Sequence, residues 1–138
     1  MTSISAIRTP EVLRLAEDAQ QAGASAVLLA PISYQALTDE EVFFVYEQVT
    51  SSLSIPLCVY DNPGTSHFHF SDELPSKIAR SPNVCSIKIP GIPSESDKAK
   101  LRVEKLRAVI PLHVTFGISG NPSAYLGLRQ VVTYGTQC

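Results

Sequence analysis

The stretch VCSIKIPG sets Lys88 between Ile87 and Ile89, a charged amine inside an otherwise apolar run. A protonated lysine taken out of water without a partner costs several kcal/mol or gives up its proton, and a free amine attacks carbonyls. Tyr60 ends a second apolar run, IPLCVYD. A phenol beside an amine can relay the proton that Schiff-base formation needs, provided it stands within hydrogen-bond reach of the reacting atoms. The same two residues also fit a plainer arrangement, with Lys88 reaching its amine to a sheet rim and Tyr60 packing under a loop. Residue types alone leave both arrangements open.

The elements that must position them follow a repeat. SAVLLAP, IPLCVYD, NVCSIKIP and LHVTFGIS are short, rich in Val, Ile and Leu, and followed by turn formers, as buried parallel strands are. They end near Ala30, Tyr60, Lys88 and Gly117, in steps of 30, 28 and 29 residues. Each step leaves room for one helix. Thr9 as N-cap with Pro10 predicts a helix carrying Val12, Leu15, Ala16 and Ala19 up to Gly23. Thr38 and Glu41 have capping-box spacing ahead of Val42, Val45, Tyr46 and Val49. Ser71 opens a shorter helix with Leu74 and Ile78, and Ala99, Val103, Leu106 and Ile110 mark a fourth. Alternating strands and helices call for a parallel sheet, either open and doubly wound or part of a closed (β/α) barrel. Both architectures gather function at the carboxyl ends of strands, here Pro31 to Tyr34, Tyr60 to Thr65, Lys88, and Ser119-Gly120.

Composition narrows the partners. Eleven basic and thirteen acidic residues, scattered through 138, leave no basic stripe for nucleic acid or an anionic membrane. No apolar run approaches the roughly 20 residues of a membrane span, and no signal core follows the N-terminus, so a cytoplasmic protein is expected. Cys58, Cys85 and Cys138 are too scattered for a metal or disulfide framework and read as free thiols. His67 and His69 in HFHF lack a third ligand, which makes that segment a loop over the pocket, and His113 is expected to be structural. Neither a metal nor a cofactor is expected.

The strings AGASAVLLAPISY, IPLCVYDNPG and NVCSIKIPG, in this order and at this spacing, resemble the dihydrodipicolinate synthase and N-acetylneuraminate lyase family of pyruvate-dependent class I aldolases. The resemblance covers about residues 5 to 127. It implies that Lys88 holds pyruvate as an imine and that Tyr60 relays protons. It further implies an aldehyde as second substrate, a homo-oligomer, and a partial (β/α)8 TIM barrel of about strands 4 to 7, with an open parallel α/β sheet as the alternative. Residues 1–128 form the barrel domain in this reading, and RQVVTYGTQC at 129–138 is an atypical tail.

Departures from the family pattern carry their own expectations. The Gly-Thr-Thr-Gly-Glu type loop that holds the pyruvate carboxylate in the family does not occur in this chain. Where the synthase branch has an arginine for the aldehyde's carboxylate, this sequence has Thr65. Tyr34 matches, one residue out of register, an aromatic residue that members offer across a subunit interface. Ser119 and Gly120 are candidate backbone donors to a carboxylate, or a turn. A roughly 250-residue barrel is only about half accounted for, so a partial barrel with open edges and an exposed apolar interior is expected. The alternative to a working lyase is a truncated, weakly active or inactive fragment serving as a structural or interaction module.

Overall fold

The computed structural model describes residues 1–90 and 96–119. Five strands, β1 (Thr2–Ser3), β2 (Val27–Leu29), β3 (Leu57–Tyr60), β4 (Val84–Pro90) and β5 (Thr115–Ser119), form one parallel sheet in the order β1-β2-β3-β4-β5. Between them run α1 (Thr9–Gln21), α2 (Asp39–Ser52), the short α3 (Pro63–Ser66) and α4 (Leu74–Ile78), and α5 (Ser96–Val109). Every crossover steps to the next strand in the same direction. A doubly wound sheet reverses its strand order to place helices on both faces, whereas an unreversed order is the winding of a barrel. The sheet is therefore open over the described residues and wound as a sector of a (β/α)8 barrel.

Local chemistry explains most of the boundaries. At α2 the Thr38 hydroxyl accepts from the Glu41 N–H at 3.3 Å, and the Glu41 carboxylate accepts from the Thr38 N–H at 2.8 Å. The Thr38 N–H, and the Thr38 hydroxyl donating to the same oxygen at 3.1 Å, hold the Glu41 carboxyl below its usual range. For α1 the N-cap is Arg8, one residue before the expected Thr9, and its side chain makes no capping bond. Gly23 follows the helix at φ 75°, a conformation glycine adopts without strain. The Ser71 hydroxyl accepts from Leu74 N at 3.1 Å ahead of α4. His113 stands exposed in the turn before β5 instead of starting the strand.

The two sheet faces differ in chemistry. In register across β2 to β5 lie Leu29, Val59, Ile87 and Phe116, each no more than 2% exposed. They pack with Val12 and Ala16 of α1, Val42 and Tyr46 of α2, Ile78 of α4 and Leu106 of α5. The adjacent layer on the opposite face is Ser3, Leu28, Cys58, Ser86 and Thr115. An apolar interior was the expectation there; of these five, only Leu28 is a large hydrophobic residue. Small and polar side chains lower the cost of leaving that face near water.

Candidate active site

Tyr60 and Lys88 are register partners across β3 and β4, and Lys88 pairs in turn with Gly117 on β5. Strand partners in a parallel sheet point to the same face, so the phenol and the amine project side by side at the carboxyl ends. The Lys88 Nζ lies 5.0 Å from the centroid of the Tyr60 ring, and both residues are half-buried. Asp61 N donates to the Lys88 carbonyl at 2.9 Å, which ties the chain leaving β3 to β4 at this level. A Cβ placed on Gly117 would meet Lys88 Cγ at an ordinary contact distance of 3.9 Å, so the lysine stem passes directly beside this glycine.

This pairing depends on an irregularity. Leu57 pairs with Val84, but the next pair is Cys58 with Ser86, so Cys85 is an extra residue in β4. Side chains alternate along a strand, and a one-residue slip turns every later one to the other face. A regular ladder from Val84 would set Ile87 opposite Tyr60 and turn Lys88 into the helix-packed core. The Thr115 hydroxyl donates to the Cys85 carbonyl at 3.3 Å, tying the bulge to β5.

Beneath the strand ends, Tyr46 of α2 is fully buried and donates its hydroxyl to the Leu29 carbonyl at 2.6 Å. Burial pushes this phenol well above its usual range, and Cys58 and Asp61 push it in the same direction. The Tyr60 hydroxyl has a different partner: Asn62 Nδ2 donates to it at 2.8 Å. Asn62 lies in the strand-end stretch from Tyr60 to Thr65, but no individual role was expected of it.

The remaining expectations fall less tightly together. Thr65 is exposed on the one-turn helix α3. Tyr34, 92% exposed, lines a cleft of about 190 Å³ with Ser33, Leu37, Ser66, His67 and Phe68. The HFHF segment alternates in fact, with Phe68 and Phe70 buried edge to face at 5.0 Å and both histidines exposed. Ser119 ends β5 in register with Pro90; Gly120 and the boundary placed at 128/129 lie outside the described residues. Cys58 and Cys85 are thiols outside any disulfide. Among the described residues no three His, Cys, Asp or Glu side chains cluster as metal ligands, and no helix is long and apolar enough to cross a membrane.

The unreversed parallel sheet, helix-packed on one face and with its lysine and tyrosine at the carboxyl ends, defines a sector of a (β/α)8 barrel. Known proteins make the relationship specific. The 4-hydroxy-tetrahydrodipicolinate synthase of Brucella abortus is 32% identical over 121 residues, covering 88% of this chain and 39% of that protein. The crystal structure of dihydrodipicolinate synthase from Agrobacterium tumefaciens superposes with a TM-score of 0.81 at 40% identity, over 88% of this chain and 40% of that one. A chloride-inhibited dihydrodipicolinate synthase from Acinetobacter baumannii, complexed with pyruvate, shares the fold with a TM-score of 0.65 at 22% identity, over 88% of this chain and 45% of its own. No protein-family model matches. These relatives are consistently of the dihydrodipicolinate synthase family, and the chain spans less than half the length of each of them.

Proposed function

We propose that the chain carries the imine-forming part of a pyruvate-dependent lyase, with Lys88 as nucleophile and Tyr60 as proton relay. The observation that carries this reading is the register pairing of Tyr60 with Lys88, which puts Nζ 5.0 Å from the phenol ring at the carboxyl end of a barrel sheet. In this reading the neutral Lys88 amine adds to the ketone carbon of pyruvate and gives a carbinolamine. The Tyr60 hydroxyl passes a proton to the departing oxygen, which leaves as water as the iminium forms. Loss of a methyl proton then gives the enamine, whose carbon adds to the carbonyl of an aldehyde; hydrolysis returns the lysine. Cleavage is the same sequence reversed. Thr65 and Tyr34, at the rim, are proposed to contact the aldehyde, and Ser119 and Gly120 to face a carboxylate.

A homo-oligomer of a cytoplasmic protein completes the proposal. Ile7 and Phe44, both exposed, line one apolar cleft with Leu37, and Leu37 also lines the cleft of the exposed Tyr34. Such a contiguous apolar rim suits a second copy of this chain.

Intact mass after incubation with pyruvate and borohydride tests the chemistry, once circular dichroism has established a folded sample. An adduct on the wild-type chain that is missing from Lys88→Ala is the expected result. A folded wild type that takes up no pyruvate would sink it and favour the inactive fragment.

A further inference from the structure

Asn62 occupies the N-cap position of α3, where an asparagine side chain ordinarily accepts from an N–H of the first helical turn. Here it makes no such bond. Its backbone carbonyl accepts from Thr65 N at 3.0 Å, from Ser66 N at 2.9 Å and from the Ser66 hydroxyl at 3.0 Å, while the side-chain amide turns back to Tyr60 Oη at 2.8 Å. The geometry at Gly64 leaves it room: a Cβ there would stand 3.4 Å from Asn62 Oδ1. A tyrosine hydroxyl has one proton to give and rotates to suit its neighbours. An amide N–H donating to Oη fills an acceptor site on that oxygen, so the phenolic proton must point elsewhere.

We infer that Asn62 is a positioning residue, whose amide fixes the Tyr60 hydroxyl so that its proton faces the carbonyl oxygen of a substrate held at Lys88. The inference rests on the imine chemistry proposed above and adds a residue to it. Its direction is chemical as well as geometric. An aspartate at this position has the same shape but only accepts, and would draw the phenolic proton toward itself and away from the substrate.

The test compares Asn62→Ala and Asn62→Asp with the wild-type chain, each also in a Tyr60→Phe background. Both single variants should form the trapped pyruvate adduct between about threefold and tenfold more slowly, the range one neutral hydrogen bond supports. The pyruvate concentration giving half the maximal rate should stay unchanged. In the Tyr60→Phe background Asn62→Ala should slow nothing further, since residues acting through one contact are not additive. Full activity of Asn62→Asp, or an equal loss in the absence of the phenol, would overturn the inference. NMR of ring-labelled tyrosine separates it from the proposed function, with the Tyr60 Cζ signal identified by its disappearance in Tyr60→Phe. A Tyr60 signal that Asn62→Ala leaves unmoved overturns the role of Asn62. A signal that moves in a chain taking up no pyruvate leaves the contact standing and removes the lyase reading.

Discussion

Lys88 stands opposite Tyr60 because β4 carries one residue more than β3 below the pair. The bulge at Cys85 separates Val84, which packs against the helices, from Ser86 on the opposite face, and from there the alternation delivers Lys88 beside the phenol. A charged residue that local periodicity would bury under α4 and α5 is thereby turned away from the core. The hydroxyl of Thr115 on the next strand holds the bulged carbonyl.

Deleting Cys85 tests this register. In the bulged strand the deletion restores a regular ladder and leaves Lys88 paired with Tyr60, so the variant should fold and keep whatever pyruvate adduct the wild type forms. In an unbulged strand the same deletion would turn Lys88 to the other face. A cooperatively folded variant that lost the adduct would show that the ladder was regular from the start.

Gly117 faces the lysine stem from β5. Its φ lies outside the left-handed region, and an added Cβ would meet Lys88 Cγ at an ordinary contact of 3.9 Å. Gly117→Ala should therefore fold normally and gain up to about 1 kcal/mol from the reduced freedom of the unfolded chain. Gly117→Leu should displace the amine and slow adduct formation about tenfold or more, an effect of misplacing a reacting group. Thermal midpoints and trapping rates of the two variants check both halves; an unchanged rate in Gly117→Leu would mean the stem does not pass there.

Residue types and spacing made the strand ends legible: the repeat between Ala30, Tyr60, Lys88 and Gly117 reflects the constant length of a strand, a helix and two loops. The capping box at Thr38 was legible because both its bonds are local. The bulge was not, because VCSIKIP reads as one uninterrupted strand and nothing in it marks Cys85 as the extra residue. Asn62 was hidden for a related reason. Its local preference is to cap α3, and the tertiary partner that overrides this, Tyr60 Oη, is visible only once the fold brings the two together. The small, polar face formed by Ser3, Cys58, Ser86 and Thr115 also needed the register, since the last three sit in runs that are apolar as a whole.

Asn83 sets the start of β4. It holds φ 63°, its Nδ2 donates to the Leu53 carbonyl at 2.6 Å, and its own carbonyl accepts from Leu57 N at 2.8 Å. Asn83→Gly keeps the backbone conformation and loses the side-chain bond, which should cost about 1 kcal/mol. Asn83→Ala loses the bond and adds left-handed strain, so about 2–3 kcal/mol is expected. Chemical denaturation of the two variants should rank them in that order; equal stabilities would remove the strain from the account.

Tyr46 links the stability of the sheet to pH. Its buried hydroxyl donates to the Leu29 carbonyl, and Tyr46→Phe should cost about 1–3 kcal/mol at neutral pH by leaving that acceptor without its donor. The same burial, helped by Cys58 and Asp61 and only partly opposed by a hydrogen bond with the Tyr60 backbone, raises the phenol well above its ordinary value of 10.0. In the unfolded chain the phenol loses its proton near that ordinary value, while the folded protein still holds it, so above it the folded state binds more protons. Stability then falls as pH rises, with the contribution of Tyr46 fully present below about pH 10 and progressively lost above it. Tyr46→Phe has no phenol to titrate there. Its stability should start lower and fall less steeply, so that denaturation curves of the two proteins approach each other above about pH 10. Parallel loss in both would place the alkaline sensitivity in another group and leave Tyr46 with its hydrogen bond alone.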